Sequence, residues 1–231
     1  MSSGPAEPPG EATAALRART LYRFFRAGEE ETLALRGVSL SLEPGELVVV
    51  TGPSGSGKST LLSCLAGIDE PDGGTVLVAG QRISHRPETV RARLRARHIG
   101  LLFQSANLFQ HLTVRQNLGL AQRLAGRSGA PGIGALLDSV GLTRRGHAHP
   151  AELSGGESAR AGLALALAND PVVLLADEPT GEIDSVTEKQ ILDLLLSRAR
   201  DGVAILLASH SPAVSAAADR VIRLGDGKVL S

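Results

Sequence analysis

The chain has 231 residues in which Lys plus Arg balance Asp plus Glu at 24 each, so no global field draws it toward nucleic acid or anionic lipid. Its length supports one α/β domain, or a core with one inserted subdomain, and excludes two full catalytic domains. One cysteine, Cys64, excludes an internal disulfide and a cysteine-based metal site, and suits a reducing cytosol.

Met1 to Ala15 is rich in Pro, Gly, Ala and Glu and lacks both a basic start and an apolar core, so it reads as a disordered leader rather than a secretion signal. Val38 to Leu42 alternates with period two, and the turn pair Pro44-Gly45 feeds an apolar strand expected over Glu46 to Thr51. Directly behind that strand stands Gly52-Pro53-Ser54-Gly55-Ser56-Gly57-Lys58-Ser59-Thr60, which fits the phosphate-cradling pattern G-x-x-x-x-G-K-[ST]. The glycines let backbone amides converge on phosphate oxygens, and the helix opening near Lys58 adds the positive end of its dipole. Lys58 would reach the outer phosphates of a nucleoside triphosphate, and the Ser59 hydroxyl suits an octahedral Mg²⁺, with Thr60 beside it. Cys64, in the helix that follows, reads as a small apolar residue on its inner face.

Gly73-Gly74 and Ala79-Gly80 bracket Thr75 to Val78, which predicts an antiparallel hairpin flanking the main sheet. From about Arg86 to Asp170 helical segments dominate: Thr113 to Leu124 with a Thr cap, Gly134 to Val140, and Gly155 to Asn169. This predicts an inserted helical subdomain over about 105–170. Arg86, Arg91, Arg93, Arg95 and Arg97 have no aromatic residues among them and read as a solvated face rather than a nucleic-acid stripe, and His147 and His149 read as exposed linker residues. Uniformly apolar strands are expected at Pro171 to Ala176 and Gly202 to Leu207, joined by a helix over Ser185 to Arg200, an order that implies a parallel core sheet. The apolar stretches Leu163 to Ala168 and Val203 to Ala208 are too short to cross a membrane.

Asp177-Glu178 follows the first of those strands at its carboxyl end, where parallel sheets place ligands. Asp177 would hold Mg²⁺, directly or through water, and Glu178 would orient or deprotonate an attacking water. Leu153-Ser154-Gly155-Gly156-Glu157 opens another helix, so Ser154 and the amides behind it form a second anion cradle. One nucleotide does not need two cradles; the second would serve a nucleotide held by another copy of the domain.

Taken together these motifs resemble the ATP-binding-cassette ATPases, over nearly everything from Leu16 to Ser231. The resemblance implies an α/β fold with a P-loop core, a mainly parallel sheet, an antiparallel β subdomain and an inserted helical subdomain. It implies that Gln104 senses Mg²⁺ and water, that His210 contacts the γ-phosphate, that Asp184, in Gly181-Glu182-Ile183-Asp184, crosses a dimer interface, and that Phe25 stacks on adenine, with Tyr22 and Phe24 as neighbours able to do the same. Asn107 to Leu118 and Ala176 to Gly181 are similar to the branch serving lipoprotein-release, macrolide-export and antimicrobial-peptide-export permeases. The implied system is two ATPase subunits, identical or not, that close around two MgATP and drive a separate membrane permease from the cytoplasmic face. The segment after Gln104 would form the groove for the permease's coupling helix. A division-type signalling cassette is an alternative. A cytosolic cassette acting on nucleic acid or the ribosome is another, although the coiled coil, zinc cysteines and fused second cassette usual there are missing from this sequence. The chain departs from the family pattern at Glu157, where glutamine is commoner, at Ser158 and Ala159, where longer polar residues are usual, at Leu165, often arginine, and at Glu182, whose carboxylate would oppose dimer closure.

Overall fold

The computed structural model describes residues 14–27, 30–103, 107–126, 131–181 and 183–230. The expected leader lies outside them but for its end, where Ala15 is buried and donates its amide to the Leu42 carbonyl at 2.8 Å.

Two sheets organise the chain. Strands β1 (Leu16–Ala27), β2 (Glu30–Leu42), β4 (Gly73–Val78) and β5 (Gln81–Arg82) form a four-stranded antiparallel sheet in the order β2-β1-β4-β5. The predicted hairpin is its β4-β5 edge. Strand β1 carries Arg17, Arg19 and Arg23 between its apolar residues, and the register shifts between Ala18 and Leu21, with Thr20 at φ 52. That bulge breaks the period-two pattern a strand is recognised by.

The second sheet has six strands in the order β10-β9-β3-β8-β7-β6, namely β3 (Leu47–Thr51), β6 (Ile99–Leu102), β7 (Val173–Asp177), β8 (Ala204–Ala208), β9 (Arg220–Gly225) and β10 (Lys228–Val229). All its pairings are parallel except the terminal hairpin β9-β10. Its central strands are apolar throughout because both faces are covered. Val48 and Val50 enter one core with Leu175 and Leu206, while Leu47 and Val49 enter another with Leu174 and Ile205. The first core packs α1 (Lys58–Leu65) and the antiparallel sheet; the second packs α3 (Val114–Ala125), α4 (Ile133–Ser139), α5 (Gly155–Ala166) and α6 (Ser185–Arg200).

The helical run expected from Arg86 to Asp170 is interrupted. After α2 (Glu88–His98), Ile99–Leu102 forms β6 beside β7, and Gly100 lets α5 press on that strand: a Cβ there would stand 2.4 Å from the Ala166 carbonyl oxygen. The arginine stretch also needs correction, because only part of it is solvated. Arg86, Arg93 and Arg97 are exposed, whereas Arg91 and Arg95 are half-buried, Arg91 pairing with Glu70 and Glu88 and Arg95 with Glu88. His147 and His149 are exposed, as expected. Cys64 is fully buried, and desolvation pushes its thiol pKa up to about 12. No helix among the described residues is long and apolar enough to cross a membrane.

Candidate functional site

Strands β3, β8 and β7 are neighbours and run parallel, so their carboxyl ends deliver the phosphate loop, His210 and the Asp177-Glu178 pair to one edge. There a cleft of about 470 Å³ is lined by Ser54, Gly55, Gly57, Lys58, Ser59 and Thr60, by Asp177, Glu178 and His210, and by Phe25. Of the other predicted loop residues, none of which lines the cleft, Ser56 is buried, Gly52 is half-buried and Pro53 is exposed. A Cβ on Gly52 would meet the Leu224 carbonyl oxygen at 2.1 Å, and one on Gly57 would meet that of Ala34 at 2.5 Å. Only glycine lets β3 turn this sharply against β9 and β2.

Lys58 is 9 % exposed and donates to the carbonyls of Gly52 at 2.7 Å and Pro53 at 3.1 Å, so its ammonium group spans the loop it belongs to. Gly57, at φ 101, caps α1 with no side-chain bond, and the first turn holds no acid. The opening amides of that helix therefore face the cleft without an intrahelical acceptor. The buried Ser56 hydroxyl has no hydrogen-bond partner among the described residues. Open amides, a lysine and an unpaired buried hydroxyl around one loop are the chemistry of a polyphosphate cradle. The Ser59 hydroxyl and the Asp177 carboxylate, which also line the cleft, are oxygen donors of the hard type that could hold Mg²⁺. Among the described residues no group of three His, Cys, Asp or Glu gathers into a metal cage.

Glu178 holds φ 50, a left-handed conformation costly for a residue with a side chain. Its amide donates to the Ala208 carbonyl at 2.9 Å and its carbonyl accepts from Gly181 at 3.2 Å, which fixes the strained turn. The carboxylate Oε1 stands 3.4 Å from His210 Nε2. Of the three clustered aromatics, Phe25 is the one lining the cleft, 42 % exposed, with the Arg23 guanidinium 4.8 Å over its ring. Arg23 is tethered in turn to Asp72 at 3.2 Å.

The cleft also contains residues that sequence reasoning missed: Thr32, Leu33, Ala34 and Arg36 of β2, and Asp226-Gly227 of the β9-β10 turn. The Gly227 amide donates to the Ser56 carbonyl at 3.1 Å and the Arg36 amide to the Gly227 carbonyl at 2.7 Å, so this hairpin brackets the phosphate loop. The Asp-Gly pair between apolar residues is a hairpin signal; nothing local says that the turn lands on a loop far away in the chain. Gln104 and Glu182 lie outside the described residues.

Ser154, Gly155, Gly156 and Glu157 do not line the cleft. Ser154 caps α5: its hydroxyl accepts the Glu157 amide at 3.2 Å, and the Glu157 carboxylate accepts the Ser154 amide at 2.9 Å. That amide, followed by the Arg145 guanidinium, holds the Glu157 carboxyl below its ordinary range. A Cβ on Gly156 would press Thr187 of α6 at 2.8 Å, whereas one on Gly155 would meet nothing within 4 Å among the described residues. Asp184 caps α6, accepting from the amides of Val186 and Thr187, each at 3.0 Å, and from the Thr187 hydroxyl at 2.8 Å.

Comparison with known proteins matches residues 35–181 to the family model described as ABC transporter. The ABC transporter ATP-binding protein YbbA of Escherichia coli (strain K12) is 43 % identical over 213 residues, covering 90 % of this chain and 93 % of YbbA. The macrolide export ATP-binding/permease protein MacB of Shigella flexneri is 38 % identical over 221 residues, 94 % of this chain and 34 % of MacB. Among solved structures, the dimeric post-hydrolysis state of the ATP-binding cassette MJ0796, bound to ADP and Pi, superposes with a TM-score of 0.87 at 32 % identity, covering 94 % of this chain and 97 % of that one.

Proposed function

The chain belongs to the ABC transporter family as an ATP-binding, ATP-hydrolysing subunit, and from that premise we propose that two copies close head to tail around two MgATP and drive a membrane permease from the cytoplasmic face. One observation supports the reading: the start of α5, the second cradle expected from the sequence, lies outside the cleft that the phosphate loop lines. Gly155 adds to it, since neither its conformation nor any neighbour among the described residues calls for glycine. The space above it suits close approach by a phosphate from a second copy.

In this reading Phe25 stacks on the base, the amides after Gly57 hold the phosphates, and Lys58 exchanges the Gly52 and Pro53 carbonyls for phosphate oxygens. Ser59 and Asp177, with Gln104 by the family resemblance, would hold Mg²⁺, which when bound supplies charge neutralisation on the outer phosphates. Glu178, fixed by its strained turn, accepts a proton from the attacking water, and His210 beside it holds that water and the γ-phosphate in line. Ser154 with the Gly155 and Gly156 amides completes the site from the other copy, and Asp184 stiffens the start of α6 where the copies meet. The permease partner is supported by the likeness to MacB, an ATP-binding/permease protein.

The test is Glu178→Gln with Mg²⁺ and ATP, followed by light scattering and steady-state hydrolysis. Loss of turnover with accumulation of an ATP-bound dimer is expected. A monomer at every nucleotide concentration, for this variant and for the parent protein alike, overturns the reading.

A further inference from the structure

The tip of α5 sets a physical problem. A helix start that is to receive a phosphate from another copy carries its own carboxylate, Glu157, at the third helical position. That carboxylate strengthens the cap by accepting the Ser154 amide. It also places negative charge where an anion must land, and like charges in a partly desolvated interface repel.

The neighbouring loop answers this. Arg145, at the end of the single turn Thr143–Arg145, brings its Nε to 3.0 Å from Glu157 Oε1 and its Nη2 to 3.3 Å from Oε2. The same Nη2 donates to the Glu152 carbonyl, which fastens the guanidinium to the chain just ahead of the cradle. The backbone of Arg145 is itself held by its amide on the Leu142 carbonyl at 2.9 Å, and Leu142 is buried in the second core. The guanidinium is thus held through Nη2 by two acceptors, the Glu157 carboxylate and the Glu152 carbonyl, while Nε lies close to Oε1 without a hydrogen bond, a restraint that an isolated surface pair lacks. Glu157 is engaged by the cap and by Arg145, while the Gly155 and Gly156 amides, first and second in the helix, keep no intrahelical acceptor.

We infer that Arg145 is a positioning residue: it cancels the charge of Glu157 and turns that carboxylate away from the landing site, so that a glutamate-bearing tip accepts the phosphate of a nucleotide held by a second copy of this chain. The inference rests on the head-to-tail reading given above. It separates two tasks at one position, since the side chain at 157 must accept the Ser154 amide but need not be charged to do so. A glutamine there keeps the acceptor and removes the charge.

The experiment compares the parent protein, Arg145→Ala, Glu157→Gln and the double variant, reading steady-state ATP hydrolysis, and reading ATP-driven pairing by light scattering with Glu178→Gln added to each. Removing Arg145 beside the native Glu157 is expected to weaken pairing and turnover about 10- to 100-fold, the range of a close coupled pair. Removing it in the Glu157→Gln background is expected to cost less than about threefold, within the additivity error of uncoupled sites. An equal loss in both backgrounds overturns the inference, because an arginine that only braces the Glu152 carbonyl is missed equally whichever residue stands at position 157; the head-to-tail reading survives that outcome. If the parent protein hydrolyses ATP but no variant ever pairs, that reading falls and the inference with it. Should Arg145→Ala not fold, Arg145→Lys against Arg145→Gln gives the same decision: lysine retains the charge and is expected to retain pairing, glutamine retains hydrogen bonding and is expected to lose it, and the reverse order overturns the assignment.

Discussion

The helix starts of α1 and α5, the two glycine-bearing starts expected to meet phosphate, are built in opposite ways. At the start of α1 the glycines answer to their own chain: Gly52 and Gly57 sit where a Cβ would strike the Leu224 and Ala34 carbonyls, the cap has no side chain, and Lys58 fills in by binding two loop carbonyls. At the start of α5 the cap is made by side chains, with Glu157 bonded to Ser154 and to Arg145, and Gly155 faces no neighbour within 4 Å among the described residues. The first start is a cradle awaiting an anion to satisfy it. The second is a finished surface that gains an anion only when another body brings one, which is the division expected of a site assembled from two copies.

The sharpest way to break this contrast is to remove the lysine. Lys58→Ala takes away the cation that lines the loop side of the cleft, and hydrolysis is expected to fall about 10²- to 10³-fold, the cost of losing one preorganised charge-stabilising donor. The two freed carbonyls cost about 1 kcal/mol of stability. Steady-state phosphate release and a thermal melt read the two effects; retained hydrolysis would mean that the loop does not hold the reacting phosphate.

Next in size is a matched pair of alanines. Gly52→Ala forces a Cβ against the Leu224 carbonyl at 2.1 Å and is expected to destabilise the fold by about 1–3 kcal/mol, with nucleotide binding lost too. Gly155→Ala meets nothing within 4 Å among the described residues, so its melting temperature should stay at the parent value while ATP-driven pairing weakens roughly tenfold, about one charge-assisted hydrogen bond. Equal loss of stability in the two variants would erase the distinction between an internally shaped loop and an outward-facing tip.

How far the chain could be read without coordinates follows the same line. The phosphate loop was legible because strand, glycine spacing and helix are contiguous in sequence, as were Asp177-Glu178 at the end of an apolar strand and Thr113 and Ser154 as helix caps. What stayed hidden depends on contacts between distant segments. Arg36 and Asp226 reach the cleft through pairing of β1 with β2 and of β9 with β3, and no local pattern announces either. The reason for glycine at 156 is Thr187, and the partner of Glu157 is Arg145, both set by packing. Strand β1 was obscured by its arginines and its bulge, and β9 by Arg220 and Arg223 set among Val221, Ile222 and Leu224.

A smaller effect tests the base-binding end of the loop cleft. Phe25 is held under Arg23, so Phe25→Ala removes a stacking surface without opening the core. KM for ATP is expected to rise about fivefold or more with kcat little changed, since stacking is worth at least ~1 kcal/mol per base and acts equally in ground and transition states. A fall in kcat at unchanged KM would place the ring elsewhere in the cycle.

The smallest expected effect concerns acid. The α1 start has no titrating cap, whereas α5 and α6 open on Glu157 and Asp184. Asp184 is held below its ordinary value of 3.8 chiefly by the Thr187 amide, then by the Thr187 hydroxyl, and Glu157 below 4.5 chiefly by the Ser154 amide. A carboxyl whose pKa is lower in the folded protein than in the unfolded chain stabilises the fold above the unfolded value, and that contribution fades as pH falls through the folded one. Stability should therefore decline from about pH 4.5 downward as both caps take up protons, and the loss should begin at the starts of α5 and α6 rather than at α1. Asp184→Asn and Glu157→Gln, melted against pH, are expected to start lower near neutrality and to decline less steeply in that window. Parallel curves for parent and variants would mean that the two caps do not titrate with folding, and the contrast between a neutral and a charged helix start would then rest on shape alone.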